Sequence, residues 1–331
     1  MSWTPATFAG GAAAVGASAD LRLEPEAVLI ATQADPASSA RQIRRAINRL
    51  EHDAKKALRQ ASALQERKER FNHFFFSVAG FKPDGNQNSV DGLLLHDVLR
   101  RRQGTCVGLA QVYLILAERL DLPVVAASTP IHLFARWVDG ESRINTELLE
   151  EGAEHPDSYY QAQHRIHEPD PARPVFLRNL TSRDVAARIY NNLGVIRSRS
   201  GLLEAAAEYY ARSIELDPRF PAPHYNRGVD DLNAGRPKEA LANFDAALSI
   251  YPADPWALNN RALAHLRLGQ DEESKEDLRA ALALDPDFPA ARKNLQLLTP
   301  EAGIRARGPA PPPGSGPQTA PVSGEAAGPR P

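Results

Sequence analysis

The spacing of apolar residues gives the N-terminal half of the chain a mixed pattern. Ile43, Ile47 and Leu50 recur at helical spacing among charged residues, which predicts helices over much of residues 21–80. Five of the eleven phenylalanines fall between residues 71 and 81, which indicates a core centre. The strongly apolar stretch 107–120 predicts a helix that is buried on most sides.

Strand patterns follow this helix. Residues 123–128 are rich in β-branched side chains and predict a strand. Two alternating runs, 132–138 and 141–147, flank Asp139-Gly140, and a two-residue Asp-Gly loop is typical of a β-hairpin. The first half of the chain is therefore predicted to mix helices with an antiparallel sheet.

The second half repeats with a period of 34 residues. Three kinds of position keep this period: glycines at turns, prolines after helices, and asparagines on first helices. They are Gly201, Gly235 and Gly269; Pro218, Pro252 and Pro286; Asn192, Asn226 and Asn260. The pattern predicts stacked helix pairs over residues 187–288 and a closing helix over 288–298.

Composition narrows the protein class. The chain has no run of 18 apolar residues, which argues against a membrane span. Its net charge of −2 argues against binding dominated by nucleic-acid phosphates. Cys106 is the sole cysteine, so the chain has no internal disulfide and no multi-cysteine metal site. A lone thiol suits a reducing compartment, and we expect the protein in the cytoplasm.

Both ends are predicted to be disordered. Residues 1–20 are rich in Ala and Gly and hold no Lys or Arg, so we interpret them as a disordered leader rather than a signal peptide. Nine of the 27 prolines lie in residues 300–331, together with Gly, Ala and Ser. Such a tail buries too little apolar area to offset its ordering entropy.

Three residues have the chemistry of a thiol nucleophile site. Cys106 falls in the first turn of the predicted buried helix, where the N-terminal end of the helix dipole favours a thiolate. His132 would take the proton of Cys106, and Asn145 would orient the imidazole. A cysteine alone is more often a small buried side chain, and a strand histidine is more often structural.

The hairpin determines which residue reaches His132. If Val138 pairs with Glu141, then His132 lies opposite Glu147 and diagonal to Asn145 on one sheet face. Glu147 is therefore the alternative orienting residue. A one-residue bulge would present Thr146 instead.

Three short stretches carry a resemblance to the transglutaminase-like superfamily: residues 104–106, 130–134 and 144–147. The resemblance covers roughly residues 21–180 and is to the compact bacterial form, which tetratricopeptide repeats often follow. It implies an α+β fold related to papain, a Cys–His–Asp/Asn triad, and cleavage or transfer at amide bonds. The third position is more often Asp in the superfamily, and Asn145 stands there in this chain. Some compact members have lost the cysteine, whereas Cys106 is present.

The 34-residue units resemble tetratricopeptide repeats, which often bind extended peptides on their concave face. Side-chain amides at Asn192, Asn226 and Asn260 would then contact a peptide backbone. The alternative is that asparagine is simply frequent at this position of the helix. A protein or peptide is the expected partner of the repeat groove.

We expect no cofactor and no metal. His155, His164 and His167 form the one other histidine cluster, and no nearby cysteine or carboxylate pair completes a metal site. No calcium-binding loop motif is present in the sequence either.

The sequence thus predicts an α+β papain/transglutaminase-like domain over residues 21–180 and an all-α tetratricopeptide solenoid over 187–299. The leading hypothesis is thiol-dependent hydrolysis or acyl transfer at peptide or isopeptide bonds, with the repeats recruiting a protein partner. The alternative is a non-catalytic interaction scaffold in which Cys106 is merely buried.

Overall fold

The computed structural model of the chain describes residues 22–86, 90–168, 172 and 174–299. The predicted disordered leader, residues 1–20, and the predicted tail, residues 300–331, lie outside these described residues.

The N-terminal half packs helices against a four-stranded antiparallel sheet. Its helices are α1 Leu23–Ala34, α2 Ala40–Ala57, α3 Leu64–Asn72 with a π-helical turn His73–Val78, α4 Leu95–Arg101, α5 Cys106–Arg119 and α6 Asp157–Gln163. The sheet consists of β3 Val124–Ser128, β4 Leu133–Asp139, β5 Ser142–Glu147 and β6 Ala153–His155, in that spatial order. A short parallel pair, β1 Lys82–Pro83 and β2 Gln103–Gly104, precedes α5.

Helix α5 forms the centre of this half, as its continuous apolar sequence predicts. Its residues 107–117 are all buried. Tyr113 lies among the predicted phenylalanine cluster, with ring centroids 4.8 Å from Phe71 and 5.0 Å from Phe75. Its hydroxyl accepts a hydrogen bond from Trp137 Nε1 at 3.0 Å, which joins α5 to the sheet. The predicted core centre is confirmed.

The β4–β5 hairpin forms, but in a different register from the predicted one. Asp139 pairs with Ser142 and Val138 pairs with Arg143, so the two-residue turn is Gly140-Glu141. Gly140 has φ +57°, and a glycine with positive φ suits the first position of such a turn. The correction shifts the pairing by two residues, which keeps every side chain on its predicted face.

The C-terminal half is a stack of helix pairs. The pairs are α7 Ser182–Arg199 with α8 Leu203–Leu216, α9 Ala222–Asn233 with α10 Pro237–Ile250, and α11 Pro255–Arg267 with α12 Asp271–Leu284; α13 Pro289–Leu298 follows. The close approach within a pair depends on small residues: a Cβ on Gly194 would lie 2.4 Å from the Tyr210 ring. Gly228 meets Phe244 in the same way, at 2.7 Å. The predicted all-α solenoid is confirmed.

The first helix pair also belongs to the core of the N-terminal half. Helix α7 packs against α1 and α5, and Ile189 and Leu193 are at most 1% exposed within the same apolar cluster as α5. Leu216 and Phe220 extend this cluster. Residues from Tyr225 to Ala291 form a separate core. A boundary between residues 180 and 187 therefore does not separate two independent cores.

A second contact joins the later repeats to the segment that follows α6. Phe176 lies against Tyr251, with ring centroids 4.9 Å apart, and the Tyr251 hydroxyl accepts a hydrogen bond from the His167 backbone N–H at 3.0 Å. Within the described ranges, no helix combines the length and the apolar character that a membrane crossing requires.

The shared core generates a prediction. Ile189→Ala removes a fully buried side chain from the cluster around α5, so it should lower the free energy of unfolding of the N-terminal half by about 2–5 kcal/mol. Hydrogen exchange of the buried α5 amides in urea measures the unfolding of this half. Leu278→Ala, in the separate core of the later repeats, is the matched control and should leave the α5 transition in place. An unchanged α5 transition in Ile189→Ala would contradict the shared core.

Candidate thiol active site

The start of α5 places Cys106 at the first helical position. Thr105 caps the helix: its Oγ1 accepts a hydrogen bond from the Gly108 N–H at 3.1 Å. Its own N–H donates to the Gly92 carbonyl at 2.8 Å. A Cβ on Gly108 would lie 1.9 Å from that same carbonyl oxygen, so only glycine permits this approach. The cap and the glycine together fix a half-buried thiol at the positive end of the helix.

A tight turn between β3 and β4 presents His132. Thr129 closes this turn: its Oγ1 accepts a hydrogen bond from the His132 N–H at 3.0 Å, and its N–H donates to the His132 carbonyl at 2.9 Å. The imidazole is in hydrogen-bonding contact with the Cys106 thiol on one side. On the other side its Nε2 lies 2.7 Å from Glu147 Oε2.

The carboxylate of Glu147 is buried and has three partners. The Leu149 backbone N–H donates to its Oε1 at 2.9 Å, and the Tyr160 hydroxyl donates to its Oε2 at 3.2 Å. His132 is the third partner. Because each carboxylate oxygen is engaged, Glu147 holds the imidazole in a defined orientation.

The electrostatics of the group favour a protonated imidazole beside the Glu147 carboxylate. Burial lowers the pKa of His132, but the hydrogen bonds and charges of Cys106 and Glu147 outweigh burial and raise this pKa to about 10. Burial raises the pKa of Glu147, and the opposing contacts with His132, Leu149 and Tyr160 hold it below its usual range. Glu147 is thus a carboxylate and His132 a cation near neutral pH.

The expectation that Asn145 orients His132 is wrong in this structure. In the observed register Asn145 pairs with Arg136, which lies four residues along the chain from His132. Its Oδ1 accepts a hydrogen bond from Arg136 Nε at 2.7 Å, and its Nδ2 donates to Asp157 Oδ1 at 2.8 Å. The alternative residue, Glu147, takes the orienting position because the two-residue shift leaves it diagonal to His132.

Tyr160 and His164 also lie at the site; the sequence analysis did not consider Tyr160 and considered His164 only as a member of the histidine cluster. The His164 ring stacks beside His132, with centroids 6.3 Å apart. Burial and the charge of His132 lower the pKa of His164 to about 4, so it is neutral near pH 7. Helix α6 brings both residues to the sheet, and no spacing in the sequence signals that contact.

A cleft of about 340 Å³ is lined by Cys106, His132 and Glu147. Its lining also includes residues of the first helix pair. Among these is Asn192, which is half-buried. Asn226 and Asn260 are buried instead: Asn226 Nδ2 donates to Asn191 Oδ1 and Asn260 Nδ2 to the Tyr225 hydroxyl, both at 2.9 Å. The predicted peptide contact is therefore wrong for Asn226 and Asn260, whose amides join neighbouring helices.

The described residues contain no group of three His, Cys, Asp or Glu side chains arranged to hold a metal ion. Of the predicted histidine cluster, His155 pairs with Glu150 at 2.8 Å and His164 faces the thiol cleft.

Comparison with known families agrees with this architecture. The family model described as "Transglutaminase-like superfamily" matches residues 41–191, and tetratricopeptide-repeat models match residues 187–220 and 255–288. The UPF0162 protein YchA of Escherichia coli K12 is 29% identical over 191 residues, which cover 55% of this chain and 69% of YchA. Protein SirB1 of Salmonella typhimurium is 33% identical over 112 residues, which cover 32% of this chain and 42% of SirB1.

Solved structures similar to the chain include repeat proteins. The first TPR domain of human RPAP3 is 22% identical and covers 34% of this chain and 88% of its own, with a TM-score of 0.33. YrrB, described as a TPR protein with an unusual peptide-binding site, is also 22% identical and covers 34% of this chain and 61% of its own, with a TM-score of 0.31. The family matches assign the two halves: the chain carries a transglutaminase-like domain, and tetratricopeptide repeats follow it.

Proposed function

We propose that the protein is a thiol-dependent enzyme that hydrolyses peptide or isopeptide bonds or transfers their acyl groups. One observation carries this proposal: His132 contacts the Cys106 thiol and the Glu147 carboxylate at the same time, at the wall of a cleft. A buried structural cysteine needs neither partner.

The reaction follows from the charges at the site. The Cys106 thiolate attacks the carbonyl carbon of an amide, and His132 donates its proton to the departing amine as the C–N bond breaks. The resulting thioester is then attacked by water or by a second amine, and His132 takes the proton of that nucleophile. The C–S bond breaks, which releases the acyl product and restores the Cys106 thiolate. Glu147 stabilises the imidazolium and sets its orientation throughout, so it is a positioning residue.

The helix start supplies a second component of catalysis. The first-turn N–H groups of an α-helix have no carbonyl partner within the helix. The N–H of Val107 follows the thiol in this turn, and we infer that it faces the oxyanion of a tetrahedral intermediate. Donors aimed at such an oxygen commonly account for a rate factor of about 10²–10³.

The repeats are proposed to recruit a protein partner, and their presence fits a role in protein interaction. Apart from the thiol cleft, a second cleft of about 470 Å³ opens between the first and second helix pairs. Its lining includes Arg227, Asp230 and the ion pair of Arg236 with Asp231 at 2.7 Å, so its surface is polar. The cytoplasm remains the proposed location, since a reducing compartment keeps the Cys106 thiol available.

The first test is the reactivity of Cys106 as a function of pH. Because the imidazolium stays protonated up to about pH 10, it should preserve a thiolate far below the pH of about 8.5 at which a free thiol titrates. Iodoacetamide should therefore alkylate the wild-type protein rapidly even at about pH 6, where a free thiol is almost fully protonated. His132→Ala should move the profile to higher pH and lower the turnover of an amide substrate by about 10²–10⁴.

His155→Ala is the matched control, since this histidine pairs with Glu150 and does not line the thiol cleft. Its profile should equal that of the wild type. A wild-type rate that rises only near the pH of a free thiol, or a thiol inert without denaturant, would contradict the catalytic proposal.

The second test separates the two candidate orienting residues. Glu147→Gln removes the negative charge beside His132 without changing the shape of the side chain, so the pKa of His132 should fall and turnover should decrease. Asn145→Ala should leave that pKa unchanged, because its amide contacts Arg136 and Asp157. NMR titration of the His132 imidazole measures both effects. The opposite result, a lowered pKa in Asn145→Ala alone, would restore Asn145 to the orienting role.

A further inference from the structure

The first tetratricopeptide repeat forms one wall of the thiol cleft. Residues of α7 line the same cleft as Cys106 and His132, and Phe220, which follows α8, also belongs to this lining. A substrate bound to the thiol would therefore contact the repeat directly, whether or not the rest of the solenoid holds a partner.

A chain of side-chain amides ends at this wall. Asn226 Nδ2 donates to Asn191 Oδ1 at 2.9 Å, and Asn191 Nδ2 donates to Asn192 Oδ1 at 3.2 Å. The second bond engages the carbonyl oxygen of the Asn192 amide but not its Nδ2 group. In the part of the chain that the structure describes, no hydrogen bond leaves Asn192 Nδ2. A donor held in place by its own carbonyl is suited to bind the carbonyl oxygen of a peptide.

The surroundings of Asn192 are apolar. Val195 and Ile196, one turn further along α7, and Phe220 line the same wall. Arg188 lies there too, but Asp217 Oδ2 accepts from its Nη1 at 2.9 Å, which balances its charge. The wall thus offers one amide donor and apolar surface rather than an unbalanced charge.

We propose that Asn192 is a specificity-determining residue of the thiol site. It donates a hydrogen bond to a backbone carbonyl of the acyl-donor peptide, and an apolar side chain of that peptide packs against the partly exposed Ile196. The substrate class is therefore a neutral, apolar peptide segment. This inference rests on the proposed function, because it assumes that Cys106 attacks a peptide.

Two alkylating reagents test the role of Asn192 on the full chain. Acetyl-Leu-Phe chloromethyl ketone carries a peptide backbone and apolar side chains, whereas iodoacetamide has no peptide to bind. In each reaction the Cys106 thiolate forms a C–S bond and displaces a halide. Asn192→Ala should slow the peptidyl reagent by about three- to tenfold relative to iodoacetamide, the effect of one hydrogen bond.

Asn192→Asp is a second variant, which separates the loss of the donor from a folding defect in Asn192→Ala. Its carboxylate still accepts the bond from Asn191, but it can no longer donate, so the ratio of the two rates should fall at least as far as in Asn192→Ala. Asn233→Ala, an exposed asparagine at the end of α9, is the matched control and should leave the ratio unchanged. Acetyl-Gly-Gly chloromethyl ketone, which lacks the apolar side chains, should react more slowly with the wild type.

The outcomes separate the two proposals. Equal rate changes for both reagents in the Asn192 variants, or none, overturn the role of Asn192 and leave the thiol site standing. Equal wild-type rates for the Leu-Phe and Gly-Gly reagents overturn the apolar preference. A wild-type thiol inert to all three reagents overturns the proposed function itself.

Discussion

The geometry of the thiol site depends on how α5 begins. This helix is buried along its length, so its position in the core is fixed by packing and its first residue cannot shift without moving the core. Contact between Gly108 and the Gly92 carbonyl then fixes the loop that precedes the helix. The backbone of Cys106 is therefore held in place, although its side chain is half-buried and accessible.

The charges at the site explain why Glu147 needs so many partners. Its carboxylate is buried and charged, and it shares the His132 imidazolium with the Cys106 thiol. Burying a charge without compensation costs several kcal/mol or more. The Leu149 N–H and the Tyr160 hydroxyl offset this cost by donating to Glu147. The neighbouring His164 is neutral first because it is buried, and second because another cation would repel His132.

Much of this architecture could be predicted from the sequence, because periodic patterns report local structure. The 34-residue period indicated the helix pairs, and the apolar run indicated α5. The choice between Asn145 and Glu147 could not be made with the same certainty, since it depends on whether Asp139-Gly140 or Gly140-Glu141 forms the turn. A shift of two residues preserves the alternation of the strand and leaves no trace in its hydrophobic pattern.

The contacts of the first repeat with the N-terminal half could not be predicted from the sequence either. Helix α7 has the same small position as the first helix of the second repeat, Gly194, yet one of its faces packs on α1 and α5 and another lines the thiol cleft. Periodicity identifies a repeat but not its neighbours in space. This is also why the asparagines at one repeat position differ in role: Asn226 and Asn260 join neighbouring helices, while Asn192 faces the cleft.

The central claim is that Cys106 rests as a thiolate paired with the His132 imidazolium. The ultraviolet absorbance of a thiolate measures this state directly, and because Cys106 is the sole cysteine, the difference spectrum between the wild type and Cys106→Ser reports it alone. Our account predicts a full thiolate signal at neutral pH in the wild type and its loss in His132→Ala. A wild-type signal that appears only near pH 8.5, roughly where a free thiol titrates, would contradict it.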